Sequence, residues 1–264
     1  MTVTTRIHRA IDRVEAERER ADETVTALER FARTLEQIEP VSPTRPTATD
    51  GGVTAISMAG AQSVSSESAD RCRAVRDAFD ETVRAVASRS ARPPTLTEHV
   101  RDELGPELAL ALSPESDRRF TPDVKAAVRS TIGTRHSERT AMAAALADEL
   151  ESLRSAVDTV ETITDWLVAA DETPLLELGF EELRERHETL ARHRERCRRV
   201  CRERQDVIHG TTTDGTVGVS HRRLVASLYS DCPRSYPVLA TMCQLEALCE
   251  RCQRSVRDHL TRRV

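Results

Sequence analysis

From Ile7 the apolar and small residues return at alternating steps of four and three, through Ile11, Val14, Ala21, Val25, Leu28, Ala32 and Leu35. Arg18 is the one charged residue in the row. A sustained 4-3 row is a heptad seam and predicts a coiled-coil helix. Its lone arginine either fixes register at some cost in stability or snorkels to water. Ile11, Val14, Val25 and Leu28 are the expected seam for self-association or docking, with a protein partner, a second copy or another helix of the same chain. Pro40, Pro43 and Pro46 end the helix, and the small, polar, glycine-containing residues up to 66 read as a flexible linker. The expected domains are therefore a coiled-coil helix at 1–39, a linker at 40–66 and a helical bundle at 67–264.

Helical spacing resumes through Cys72, Val75, Phe79, Val83 and Val86 until Pro93 and Pro94. Thr95 with Glu98 forms a capping box that opens a short helix through Val100 and Leu104, which Gly105 and Pro106 close. A further turn carries Leu108, Leu110 and Leu112. Thr121, Pro122 and Asp123 supply an N-cap oxygen, a proline at the first helical position and an acid at the positive dipole end. Leu146, Leu150, Leu153, Val157, Val160 and Leu167 follow, so one helix reaches about residue 170. It would span roughly 70 Å at 1.5 Å per residue if Gly133 leaves it intact.

The next helix, 180–209, sets Leu183, His187, Leu190, Arg194, Cys197, Cys201 and Ile208 on one stripe. Ser220 caps a short helix with Leu224 and Leu228, and Ser235 with Pro237 starts a last one. That last helix carries Leu239, Met242, Leu245, Cys249, Cys252, Val256 and Leu260 on its buried face, and Tyr236, Leu239, Leu245, Leu183 and Leu190 are the expected core. Short connections favour antiparallel neighbours. The fold class is all-α: an N-terminal coiled-coil-like helix plus a multi-helix antiparallel bundle with one long helix. Seven aromatic rings in 264 residues support this by excluding a large β-sandwich or barrel.

Composition adds a setting. Only one of the 39 basic residues is a lysine, Lys125. With abundant acids, Thr and Ala, this fits a GC-rich genome and a salt-rich cytoplasm such as that of haloarchaea. No stretch of 18 apolar residues and no signal-like core appears, so a cytoplasmic protein without a membrane segment is expected. Residues 177–264 carry 17 arginines against 13 acids, while the whole chain is net −5. The segments LTEHVRDELGPELALAL, FTPDVKAAVRSTI, CRERQDVIHG and SYPVLATMCQLEALCERC resemble an uncharacterised family of helical proteins of haloarchaea. The resemblance covers 67–264 with 7–38 as leading helix. It implies a helical fold and supplies no functional residue.

Six of seven cysteines lie after residue 196: Cys197, Cys201, Cys232, Cys243, Cys249 and Cys252. Cys197 with Cys201, and Cys249 with Cys252, each present two sulfurs to one side of a helix. If the helices are antiparallel, Cys197 stands level with Cys249 and Cys201 near Cys243. Four thiolates, Cys197, Cys201, Cys249 and Cys252, would suit tetrahedral zinc or a reversible disulfide. Both pairs sit at apolar seam positions, where cysteine packs as a small hydrophobe, and plain core packing is the leading reading.

Nine arginines against four glutamates at 184–204 raise nucleic-acid binding. They encircle the helix, glutamates interleave and no aromatic residue lies among them to stack on bases, which argues for a solvated, salt-bridged face. No P-loop, GxGxxG, GxSxG or HExxH occurs. The scattered histidines His8, His99, His136, His193, His221 and His259 read as surface or satisfied partners. The expectation is a non-enzymatic scaffold or protein-interaction module without cofactor. The alternatives are a redox or zinc-responsive sensor built on the C-terminal cysteines and a DNA-associated regulator.

Overall fold

The structure, a computed structural model, describes residues 6–41, 58–88, 93–116, 119–209, 221–230 and 236–262. Among them every regular element is helical, so the fold is all-α. The helices are α1 (Arg6–Gln37), α2 (Met58–Phe79), a π turn (Asp80–Arg84) running into α3 (Ala85–Ala87), and α4 (Leu96–Leu104). Then come α5 (Pro106–Ala111), α6 (Pro122–Asp171), α7 (Phe180–His209), α8 (His221–Leu228) and α9 (Pro237–Thr261). Ser220, Ser235, Cys232 and the loop at 210–220 lie outside the described residues.

Local chemistry sets the helix ends. The Glu98 amide donates to Thr95 Oγ1 at 3.3 Å and the Thr95 amide donates back to Glu98 Oε2 at 2.9 Å, closing the capping box of α4. Gly105, at φ +89°, ends α4 and begins α5. The Val124 amide donates to Thr121 Oγ1 at 3.3 Å at the start of α6. Gly133 does not interrupt that helix, which continues through all 50 residues.

Two compact units share the chain: Glu19–Thr140, and Met1–Arg18 with Ala141–Val264. The division therefore falls inside α1 and α6, whereas the sequence placed its boundaries around 40–66. Periodicity reports which face of a helix is buried and is silent on what buries it. Helix α2 also opens at Met58, inside the stretch read as linker, because past Pro46 that stretch holds no further proline and its alanines favour helix.

In the unit Glu19–Thr140 the core joins Leu28, Phe31 and Leu35 of α1 to Val75, Phe79 and Val83, to Val100 and Leu104 of α4, and to Val128 and Ile132 of α6. Phe31 and Phe79 meet edge to face at 5.4 Å, and Phe79 meets His99 at 5.3 Å. The lone lysine, Lys125, donates to the Glu36 carbonyl at 2.9 Å, satisfying an orphan acceptor near the end of α1. Arg76 similarly donates to the Leu112 carbonyl at the end of α5.

The expected α1 seam is partly buried within the chain. Val14 and Leu28 are wholly buried, Ile11 and Val25 half-buried, and Arg18 exposed. Ala10, Ala27, Phe31 and Ile38 are buried as well, which widens the stripe beyond a two-position coiled-coil seam to the broad apolar face of a core helix.

In the second unit Leu146, Leu150, Leu153 and Ile163 of α6, Leu183, Leu190 and Ile208 of α7, Leu224 and Leu228 of α8, and Met242, Leu245 and Val256 of α9 form the core. Helices α7 and α9 pair extensively. Tyr236, expected in the core, is 40% exposed: it is the N-cap residue of α9, ahead of the helical face. The buried tyrosine is Tyr229.

Candidate functional site

Helices α7 and α9 are held in register by a polar ladder. Arg194 Nε donates to Glu246 Oε1 at 3.0 Å and its Nη1 to Gln253 Oε1 at 2.9 Å. Arg198 Nη2 reaches the same Glu246 oxygen at 2.8 Å, and Gln253 Nε2 donates to the His187 carbonyl at 3.2 Å. Partner numbers fall along α9 as they rise along α7, which defines antiparallel pairing. One turn beyond the Arg198–Glu246 rung, Cys201 must face Cys243. Cys197, one residue before Arg198, faces the next turn of α9, which holds Cys249.

The sulfurs obey that register. Cys201 interacts with Cys243, and Cys197 with Cys249. Burial, followed by the neighbouring sulfurs and the Glu246 carboxylate, pushes the Cys197 thiol up to about 12. Burial, then Cys243 and Glu246, pushes Cys201 up to about 11, with Arg202 opposing. Burial, then Cys252 and Glu246, pushes Cys249 up to about 11. All three therefore stay protonated at neutral pH.

The two cross-helix pairs differ in access. Cys197 and Cys249 are wholly buried, whereas Cys201 is half-buried and Cys243 exposed. Cys252, half-buried, turns to a different feature: a cavity of about 260 Å³ lined by Trp166, Leu167, Arg186, Leu190, Cys252 and Val256, among others. The four sulfurs named from the sequence are thus split between the Cys197–Cys249 contact, the Cys201–Cys243 contact and the cavity wall. Among the described residues no three His, Cys, Asp or Glu side chains converge as a metal-binding group.

At the α6–α7 connection beside the cavity residues, three large apolar side chains face solvent: Val168 at 62%, Leu176 at 75% and Phe180 at 48% exposure. Arg186 Nη1 donates to the Thr173 carbonyl at 3.1 Å and ties the connection to α7. His193 packs on Trp166 with ring centroids 5.0 Å apart, and its Nε2 has no hydrogen-bond partner. Burial, then Arg192 and Arg196, holds this imidazole below its ordinary range. His99 in the other unit has an unpartnered Nδ1 and is also lowered by burial. These two histidines are neither surface residues nor fully satisfied. His136 does match the expectation, meeting Glu29 Oε1 at 3.2 Å.

The arginines of α7 are largely committed. Arg184 pairs with Glu181 at 3.0 Å, Arg202 with Glu195 at 2.6 Å, and Arg199 with Glu203 at 3.7 Å, in addition to Arg194 and Arg198.

Arg204 is different, and the sequence reading did not find it. It is wholly inside the protein, its Nη2 donating to Glu149 Oε1 at 2.6 Å and its Nη1 to Ser152 Oγ at 3.1 Å. The Tyr229 hydroxyl donates to the same Glu149 oxygen at 2.6 Å. One carboxylate thereby ties α6 to α7 and to the residue that follows α8. The signal was present in the stripe of α7, which steps from Cys197 to Cys201 and then leaps to Ile208. The heptad position between them is 204.

None of the curated proteins and none of the solved structures matches the chain. Among the described residues no helix is long and apolar enough to cross a membrane. A family model, that of the domain of unknown function DUF7260, matches residues 5–253, nearly the whole helical architecture described above, and the chain belongs to that family.

Proposed function

We propose that this chain is a non-enzymatic helical scaffold that engages a protein through the α6–α7 connection. The observation that carries the reading is the exposure of Val168, Leu176 and Phe180 around a connection whose Thr173, Pro174 and Leu175 line the Trp166 cavity. Large apolar side chains grouped around a concavity are the usual anchor of a protein contact. Support also comes from how the ion pairs between helices are used: Glu149 with Arg204, Glu246 with Arg194, and Glu103 with Arg139 at 2.9 Å each bind one helix to another. A salt-rich haloarchaeal cytoplasm is part of the same proposal, supported by the near-exclusive use of arginine over lysine.

A photo-crosslinking amino acid placed at Leu176, activated in cells at their native salt, tests the reading. A discrete adduct heavier than the chain, absent when the crosslinker sits at the exposed Gln244 toward the opposite end of α9, is expected. Absence of any adduct from position 176 overturns it. Adduct mass distinguishes a second copy from a different protein.

A further inference from the structure

We propose that Cys201 and Cys243 are a modification site, closing to a reversible disulfide on contact with a hydroperoxide and clamping α7 to α9. Two independent observations converge on this pair. The Arg194, Arg198, Glu246 and Gln253 ladder fixes a register in which position 201 faces position 243. The two thiols also interact electrostatically across that interface. The salt bridges on Glu246 hold the two helices together whether the bridge is open or closed, so the sulfurs stay preorganised for bonding.

Accessibility divides the labour within the pair. Cys243 is exposed and meets the oxidant; Cys201, half-buried behind it, resolves the product. The Cys243 thiolate attacks one peroxide oxygen, an S–O bond forms and the O–O bond breaks. The leaving oxygen departs as alkoxide and takes up a proton to become the alcohol. Cys201 then attacks the sulfenic sulfur: the S–S bond forms, the S–O bond breaks, and hydroxide leaves with the Cys201 proton as water. Two thiols lose two electrons in total, and the hydroperoxide is reduced to alcohol and water. Cys197 and Cys249 face each other one step along the same ladder but lack an exposed member, so neither meets a peroxide in the folded protein.

Full-length protein at high salt, treated with one equivalent of tert-butyl hydroperoxide and then alkylated, provides the test. An intact mass lower by two hydrogens is expected. Non-reduced peptide mapping should show a single species joining the 201 and 243 peptides, which dithiothreitol separates. Cys243→Ser abolishes the bridge, and Cys201→Ser leaves a sulfenic acid at 243 that dimedone traps. Three outcomes overturn the proposal: Cys243 carried to sulfinic acid in the wild type without a bridge, a link joining 197 to 249, or a 243–243 link between two copies. The dimedone adduct does not depend on the bridge forming, so a failure of folding in the first variant leaves the assignment of Cys243 testable.

Discussion

Replacing Arg204 by methionine removes a cation from the interior while nearly preserving the volume of its stem, so the change isolates electrostatics from packing. Its side chain is 3% exposed and that of Glu149 is 0% exposed, which leaves almost no solvent to screen the pair. The variant loses the bonds at 2.6 Å to Glu149 and 3.1 Å to Ser152, and takes the guanidinium away from a carboxylate inside the protein. Breaking a buried pair from one side costs about 3–5 kcal/mol, most of it the penalty on the stranded charge. With a urea slope of about 2–3 kcal/mol per molar, the midpoint falls by at least about 1 M.

The companion variants locate the origin of that loss. Tyr229→Phe removes one hydroxyl that donates to the same carboxylate and should cost about 1.5–3 kcal/mol. Glu149→Leu combined with Arg204→Met removes both charges and should recover most of the loss, since an apolar replacement of a buried pair is often neutral or better. With Glu149→Leu alone added to close the double-mutant cycle, urea unfolding of the five proteins at one fixed high salt concentration, followed by helical circular dichroism, apportions the loss. A single Arg204→Met within about 1 kcal/mol of wild type, or a double variant as unstable as the sum of the singles, would refute the reasoning.

Three further outcomes follow from separate features. Gly133→Ala should stabilise by about 0.5–1 kcal/mol in thermal or urea unfolding, because a Cβ there meets nothing within 4 Å and the glycine lies inside α6. Leu28→Ala should cost about 2–5 kcal/mol while sedimentation stays that of the wild type, since this residue is wholly buried within the chain; a changed mass with unchanged stability would return the α1 seam to an intermolecular role. The thiols Cys197 and Cys249 have folded values raised from 9.0 to about 12 and about 11, so the folded state holds these protons more tightly. Their contribution is complete below about pH 9 and drains as pH climbs toward 11, at up to about 1.4 kcal/mol per pH unit for each group. The double variant Cys197→Ala/Cys249→Ala should therefore show a flatter alkaline decline than wild type.

What the sequence could disclose divides along a physical line. Helix ends are decided within a few residues, and there the reading is sharp: Thr95 with Glu98, and Thr121 ahead of Pro122, form the caps that their chemistry requires. The buried stripes of α7 and α9 were also legible, and with an antiparallel assumption they placed Cys201 near Cys243 before any coordinate. Partnership between distant helices was not. The heptad row of α1 is consistent with a second copy, another helix or a broad core face. The burial of Phe31 and Ile38 outside the row adds a broad core face to it.

Arg204 shows the same limit from the opposite side. Surrounded by eight other arginines, it passed as part of a solvated face, because charge density is a property of a segment whereas burial is a property of one position. The position was nevertheless determined by the gap between Cys201 and Ile208, and its counterpart Glu149 lies among Leu146, Leu150 and Leu153 on α6. A charge at a seam position on one long helix calls for an opposite charge at a seam position on another, since neither can enter the interior alone. Applied as a rule, that pairing condition joins α6 to α7 without reference to any hydrophobic contact. The Tyr229 hydroxyl, which also needs a buried acceptor, then places the residue after α8 against the same carboxylate.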